Sequence, residues 1–120
     1  MNIYPVFRGN TQWGIPVIKA DYINKWISIC IVYNGGNKSS ASSYLTYVNG
    51  IQLPYGTNNF GTAGGTNSNC NIIGADGNSG CNVFGGYYQG NIGTYKIYNN
   101  TLSAAEILQN FEAVKGRYGL

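Results

Sequence analysis

The sequence predicts an all-β domain: antiparallel strands packed as a sandwich and finished by one short amphipathic helix. Three observations carry that prediction. The 120 residues include 18 Gly and 11 Tyr, with Asn at about every seventh position. Gly and Asn tolerate the positive φ of tight turns, and Tyr suits a pleated, half-buried surface. Only 9% of residues are charged, against about a quarter in ordinary globular proteins, so there is too little Lys and Glu to solvate the outer faces of a helical bundle. Apolar segments are short and separated by Gly/Asn clusters, a strand-and-turn pattern. The length fits one domain, residues 1–120.

Taken in order, the first apolar pieces are Ile3–Phe7 and Ile15–Ile18, which Pro5 and Pro16 restrict to edge strands or extended connections. Trp26–Tyr33 (WISICIVY) is the strongest strand signal. Ile27, Ile29, Ile31 and Tyr33 share one face, and Trp26, Cys30 and Val32 the other. Apolar residues on both faces predict a central strand covered on both sides. Asn34-Gly35-Gly36-Asn37 ends it. Tyr44–Val48 and Ile51–Leu53 flank Asn49-Gly50, the pair that favours a type I′ hairpin turn. Residues 55–69 read as a long polar loop. Asn71–Gly74 reads as a short strand, Ala75–Asn82 as a second polar loop, and Phe84–Tyr88 and Asn91–Tyr98 as two further strands. Ile92, Tyr95 and Ile97 are the expected anchors of the last one.

The helix is signposted by Ser103-Ala104-Ala105-Glu106, a capping box with Ser103 as N-cap and Glu106 at the third helical position. Leu102 and Ile107 have the spacing of a hydrophobic staple across that cap. Ile107, Leu108, Phe111 and Val114 make one apolar stripe, and Lys115 followed by Gly116 marks the C-terminus.

Composition also excludes. A net charge of +3 without a dense basic stripe argues against nucleic acid as a partner. The longest apolar stretch, Trp26–Tyr33, is too short to span a bilayer, so membrane insertion is not expected. The N-terminal residues lack the basic start and apolar run of a signal peptide. With no histidine there is no Ser-His or Cys-His nucleophile pair. Of four acidic residues, Glu106 caps the helix and Glu112 lies along it, leaving Asp21 and Asp76 without the paired spacing of a glycosidase. An enzyme is not expected, and no catalytic residue is assigned. Cys30 lies in an apolar run and reads as a small buried hydrophobe. Cys70 and Cys81 flank a Gly/Asn loop and either form a short disulfide or remain free thiols. Three cysteines without CxxC spacing do not make a zinc site.

The order of these segments resembles laminin-G-like domains of the concanavalin-A-like lectin/glucanase superfamily. Trp26 with Ile29, Ile31 and Tyr33 is similar to that family's Trp strand. Tyr47-Val48-Asn49-Gly50 is similar to its hairpin, and Ile73-Gly74 to a later strand. Gly90, Ile92, Ile97, Tyr98, Asn99, Leu102, Ser103, Glu106 and Ile107 match its closing strand and helix. The resemblance runs from about Trp26 to Leu120 and implies a jelly-roll-like, concanavalin-A-like sandwich. The ending Gln109–Leu120 (QNFEAVKGRYGL) resembles the terminus of such domains in structural proteins of tailed bacteriophages. Only 25 residues precede the Trp strand, where the family usually carries further strands. Either that part is compressed or a neighbouring chain supplies the missing strands, and an open sheet edge pairs with neighbours.

What the resemblance implies is a non-catalytic virion structural protein at the capsid or tail surface or in a fibre. Its expected partners are other virion proteins or copies of itself, with weak adhesion to a host cell-surface glycan. The alternative is a lectin-like carbohydrate-binding module on a bacterial surface or secreted outside the cell. A degenerate glucanase relying on Asp76 is a third class. Sugar recognition needs aromatic faces beside amide or carboxylate groups. Tyr87, Tyr88 and Gln89, beside Asp76 and Asn78, are the candidate glycan contacts. Adjacent Tyr87 and Tyr88 should point to opposite faces of a strand, which would place at least one in the core. No cofactor is expected. Calcium, which many such domains bind, has a candidate ligand in Asp76, but Ala75-Asp76-Gly77-Asn78-Ser79 offers one carboxylate where six to eight oxygens are needed, and a plain turn is the default.

Overall fold

The structure, a computed structural model, describes residues 6–7, 11–12, 22, 24–36, 41–53, 73–77, 84–85 and 87–120. The described strands are β1 (Val6–Phe7), β2 (Thr11–Gln12), β3 (Ile29–Tyr33), β4 (Tyr44–Val48), β5 (Ile51–Gln52), β6 (Asp76–Gly77) and β7 (Phe84–Gly85). One helix, α1 (Ala104–Lys115), follows them. Every pairing between described strands is antiparallel: β1 with β2, β6 with β7, and a three-stranded sheet in the order β3-β4-β5. The antiparallel β class and the C-terminal helix are as predicted. The described residues make one small sheet and two separate ladders, and do not by themselves close a two-layer sandwich.

The β4–β5 hairpin turns at the predicted dipeptide. Asn49 and Gly50 both have positive φ, 50° and 79°, as a type I′ turn requires. Asn49 adds a second function. Its side-chain Oδ1 accepts from the Ser28 amide at 2.9 Å, and its own amide donates to the Ser28 carbonyl at 2.9 Å. This reciprocal pair continues the β3–β4 contact past the end of the ladder.

The register sets Cys30 opposite Tyr47 and Val32 opposite Leu45. These four therefore share one face of the sheet. The start of α1 covers that face: Val32, Tyr47 and Ile107 are buried together, with Cys30, Leu45 and Leu102 packed around them. Each full burial of such a side chain stabilises by roughly 1.5–3 kcal/mol. On the opposite face Tyr44 and Val48 are also buried, and the Tyr33 and Tyr44 rings lie 5.1 Å apart. Coverage of both faces, expected of Trp26–Tyr33, therefore belongs to β4. Among the described strands β4 has a hydrogen-bonded neighbour on each side, whereas Tyr33 at the end of β3 is exposed.

Beyond β3 the chain turns through Asn34, whose amide donates to the Ser43 carbonyl and whose side-chain Nδ2 donates to the Ser42 carbonyl, both at 2.9 Å. The Asn34 Oδ1 accepts from the Gly36 amide, and the Tyr33 hydroxyl donates to the Gly36 carbonyl. Asn34 thus acts through its side chain, and Gly35 supplies the positive φ.

Helix α1 begins as predicted. The Glu106 amide donates to Ser103 Oγ, and the Ser103 amide donates back to the Glu106 carboxylate at 2.8 Å. Leu102 and Ile107 meet in the core cluster, which completes the staple. The hairpin seats against the next turn of the helix: a Cβ on Gly50 would lie 2.9 Å from Leu108 Cδ1 and 3.2 Å from Phe111 Cδ1. The end of the helix differs from the prediction. Gly116 stays right-handed and the chain continues as a 3-10 turn, Gly116–Tyr118. The left-handed residue is Gly119 (φ 67°), and the Leu120 amide donates to the Lys115 carbonyl at 3.0 Å. That six-to-one bond is the Schellman closure.

The segments predicted after residue 70 need correction. Ile73–Ala75 bends and forms no strand, and the strand expected over Phe84–Tyr88 is limited to Phe84–Gly85. Its partner β6 falls in the segment read as a polar loop. Asp and Gly, both depleted in strands, explain why no strand signal was visible at Asp76–Gly77. Among the described residues Asn91–Tyr98 joins no ladder, and Ile92, Tyr95 and Ile97 are 51%, 56% and 67% exposed, so they are not the buried anchors expected. Ile92 and Tyr98 fall on one side of an extended chain and Tyr95 and Ile97 on the other, so neither side concentrates enough apolar surface to be buried. Ile15–Ile18, the 55–69 loop and residues 71–72 lie outside the described residues.

The Ser103 side-chain and backbone donors hold the Glu106 carboxyl below its ordinary value. A carboxylate depressed on folding contributes stability above its unfolded value near pH 4.3, and that contribution disappears as pH falls through the folded value. Acid titration of thermal stability should therefore show a loss below about pH 4 that is smaller in Glu106→Gln. Identical acid profiles for the two proteins would contradict this assignment.

Candidate functional site

The candidate glycan residues sit where the chain leaves β7. The Tyr88 amide donates to the Gly74 carbonyl at 2.7 Å, so Tyr87-Tyr88-Gln89 lies beside the bend that leads into β6. Gly74 has a φ of 78°, and a Cβ there would lie 3.1 Å from Ile92 Cδ1, which fits a backbone approached closely from that side. The Tyr88 ring folds back over Gly90, 2.7 Å from where a Cβ would stand. Tyr87 is 69% exposed and Tyr88 46%, so neither belongs to the core. The expectation that one of them would be core fails because no strand continues through this pair to impose opposite faces.

Asp76 is placed by its backbone in β6, opposite Gly85. This puts it two residues from the Gly74 carbonyl that holds Tyr88. Asn78, Cys70 and Cys81 lie outside the described residues, as does the geometry of any disulfide between those cysteines. Among the described residues no group of three or more Cys, Asp or Glu side chains could hold a metal ion. Cys30 is half-buried against the core, and burial pushes its thiol above the ordinary value. This agrees with its reading as a packing residue.

A second aromatic cluster was not legible in the sequence. The Trp26 and Tyr118 rings lie 4.9 Å apart at 49°, and the Tyr118 hydroxyl shares a 2.7 Å hydrogen bond with Thr94 Oγ1. Gly93 makes room for that ring, since its Cβ would lie 2.6 Å from the Tyr118 hydroxyl. The Arg117 guanidinium lies 5.9 Å from the same ring. Through Tyr118, the extended segment Asn91–Tyr98 is fastened to the residues preceding β3. The contact joins three distant parts of the chain, so no local spacing could have announced it.

Residues 87–101 are all exposed, and Lys96 is their one charged side chain. Tyr87, Tyr88, Ile92, Tyr95, Ile97 and Tyr98 are each exposed along this stretch, interspersed with Asn, Gln and Thr. Such residues can stack on a sugar face or pack against another protein.

Tyr118→Phe should remove the Thr94 bond and lower stability by about 0.5–1.5 kcal/mol. Tyr118→Ala should in addition change the near-ultraviolet circular dichroism from Trp26. An unaltered near-ultraviolet spectrum in Tyr118→Ala would contradict the stacking.

Residues 8–108 match a laminin-G family model whose description is the concanavalin A-like lectin/glucanases superfamily. The match begins well before Trp26, so residues ahead of the Trp strand lie within the family's span. No curated relative and no solved structure matches the chain. No helix among the described residues is long and apolar enough to cross a membrane. The family match spans most of the chain, and it agrees with the antiparallel strands, the Asn-Gly hairpin and the capped closing helix; the chain belongs to the laminin-G-like family of the concanavalin A-like lectin/glucanases superfamily.

Proposed function

We propose that this chain is a non-catalytic structural domain of a tailed-bacteriophage particle, displayed on its capsid, tail or fibre, with contacts made through the tyrosine-rich segment. The observation that carries the reading is the exposed aromatic surface from Tyr87 to Tyr98, which a protein acting alone in solution would be expected to bury. The resemblance of Gln109–Leu120 to phage structural proteins supports the choice of particle. A full two-sheet jelly roll is part of the proposal, with β3-β4-β5 in one of its layers. The absence of catalysis is supported by the lack of histidine and by the engagement of two of the four acids. Glu106 is held by Ser103, and Glu112 pairs with Lys115.

A second reading, a lectin-like carbohydrate-binding module, is favoured by one specific contact. The bond from the Tyr88 amide to the Gly74 carbonyl sets two exposed tyrosines and Gln89 next to the strand that carries Asp76. Sedimentation of phage lysates tests the first reading: the chain should travel with intact particles, and its recovery solely in the soluble fraction would overturn it. A glycan array probed with the wild-type chain and with Tyr87→Ala tests the second. Glycan binding weakened at least about tenfold by Tyr87→Ala supports sugar contact there. Binding unchanged by the substitution, or no binding, removes this site.

A further inference from the structure

The sequence holds two Asn-Gly pairs, Asn34-Gly35 just beyond β3 and Asn49-Gly50 between β4 and β5. In such a pair the backbone nitrogen of Gly can reach the preceding side-chain amide, because Gly puts no Cβ in the way. The two pairs are held very differently. Asn49 is half-buried and bonded to Ser28 through both its amide and its side-chain Oδ1. Gly50 is wedged against the helix, where a Cβ would lie 2.9 Å from Leu108 Cδ1 and 3.2 Å from Phe111 Cδ1. Asn34, Gly35 and Gly36 are exposed, and a Cβ on Gly35 would meet no other part of the described chain within 4 Å.

We propose that Asn34 is a site of spontaneous modification, where the Gly35 amide nitrogen closes on the Asn34 side chain and expels ammonia. The Asn34 Oδ1 accepts from the Gly36 amide at 3.0 Å, a bond that spans the Asn34–Gly35 peptide. It keeps the side-chain carbonyl beside the nitrogen that must attack it, which favours an intramolecular reaction. The same donor stabilises the negative charge that develops on Oδ1 during attack. Gly36 is fixed for this role, since a Cβ there would lie 2.6 Å from Ser43 Oγ. The bond that opposes departure, from Asn34 Nδ2 to the Ser42 carbonyl at 2.9 Å, is exposed, so water can take its place.

The Gly35 nitrogen loses its proton to hydroxide and bonds to Asn34 Cγ. The Cγ–Nδ2 bond then breaks, and Nδ2 takes up a proton and leaves as ammonia. Water opens the resulting cyclic imide at one carbonyl or the other, which gives aspartate or isoaspartate; nothing is oxidised or reduced. Each event lowers the formal net charge of +3 by one. Either product also removes the Nδ2 donor, and with it the side-chain bond that ties the end of β3 to Ser42 ahead of β4.

Peptide mapping by mass spectrometry of the wild-type chain, held in mildly alkaline buffer and sampled over weeks, tests this. In the native protein Asn34 should gain about one mass unit at least about tenfold faster than Asn49. In guanidinium chloride the two should react within about threefold of each other, because each then precedes Gly in an open chain. Equal native rates, or faster conversion of Asn49, overturn the assignment. So does an Asn34 that folding slows about tenfold or more, since the Gly36 bond would then hinder the attack. Asn34→Asp reproduces one product, and its thermal midpoint should fall by roughly 2–5 °C. An unchanged midpoint overturns the structural consequence drawn from the Ser42 bond.

Discussion

The fold depends on the apolar junction where one face of β3 and β4 meets the first turn of α1. The sheet is small, its third strand β5 only two residues long, and an isolated helix of 12 residues is close to the shortest that persists alone. Neither element has independent stability. Val32 and Tyr47 from the sheet and Ile107 from the helix are buried against one another, and each supplies the surface the other lacks. The capping box matters because it starts the helix at the position that delivers Ile107 to this junction. The Asn49-Gly50 turn matters for a related reason. A residue larger than Gly at position 50 would press on Leu108 and Phe111. The hairpin and the helix therefore constrain each other at two places, the core cluster and the turn.

This arrangement leaves the aromatic residues of the later chain unburied. Tyr118 fastens the segment around Thr94 to Trp26, and Tyr88 is tied to Gly74, so among the described residues the segment is held at discrete points. Several exposed tyrosines and isoleucines beside a single lysine are suited to contact, because apolar area left in water is unfavourable.

The parts of the structure legible in the sequence are those fixed by local chemistry. Asn49-Gly50 and Ser103-x-x-Glu106 each place donors and acceptors within four residues, and both occur as read. The alternation in β3 gave its two faces correctly, and the family assignment rests on the same segments. What could not be read depends on distant partners or on the backbone alone. β6, Asp76-Gly77, fell in a segment read as a polar loop, and the Trp26–Tyr118–Thr94 contact joins remote positions. Gly116 carries the usual signature of a helix end, yet Gly119 takes the left-handed conformation, because a 3-10 turn extends the helix until the Leu120 amide reaches the Lys115 carbonyl. Asn91–Tyr98 has strand-forming residues, but among the described residues no strand pairs with it. Of the candidate site, Tyr88 is tied to Gly74, two residues before Asp76, and the core position expected for one of the tyrosines does not occur.

A double-mutant cycle across the sheet–helix junction tests this account most directly. Urea unfolding of wild type, Val32→Ala, Ile107→Ala and the double variant gives the coupling between the two side chains. Ile107→Ala alone should cost roughly 2–5 kcal/mol, as for a buried isoleucine. The double variant should lose less than the sum of the singles by about 0.5–3 kcal/mol, the signature of residues in contact. Losses that add to within about 0.5 kcal/mol would contradict the claim that sheet and helix are stabilised by one shared core.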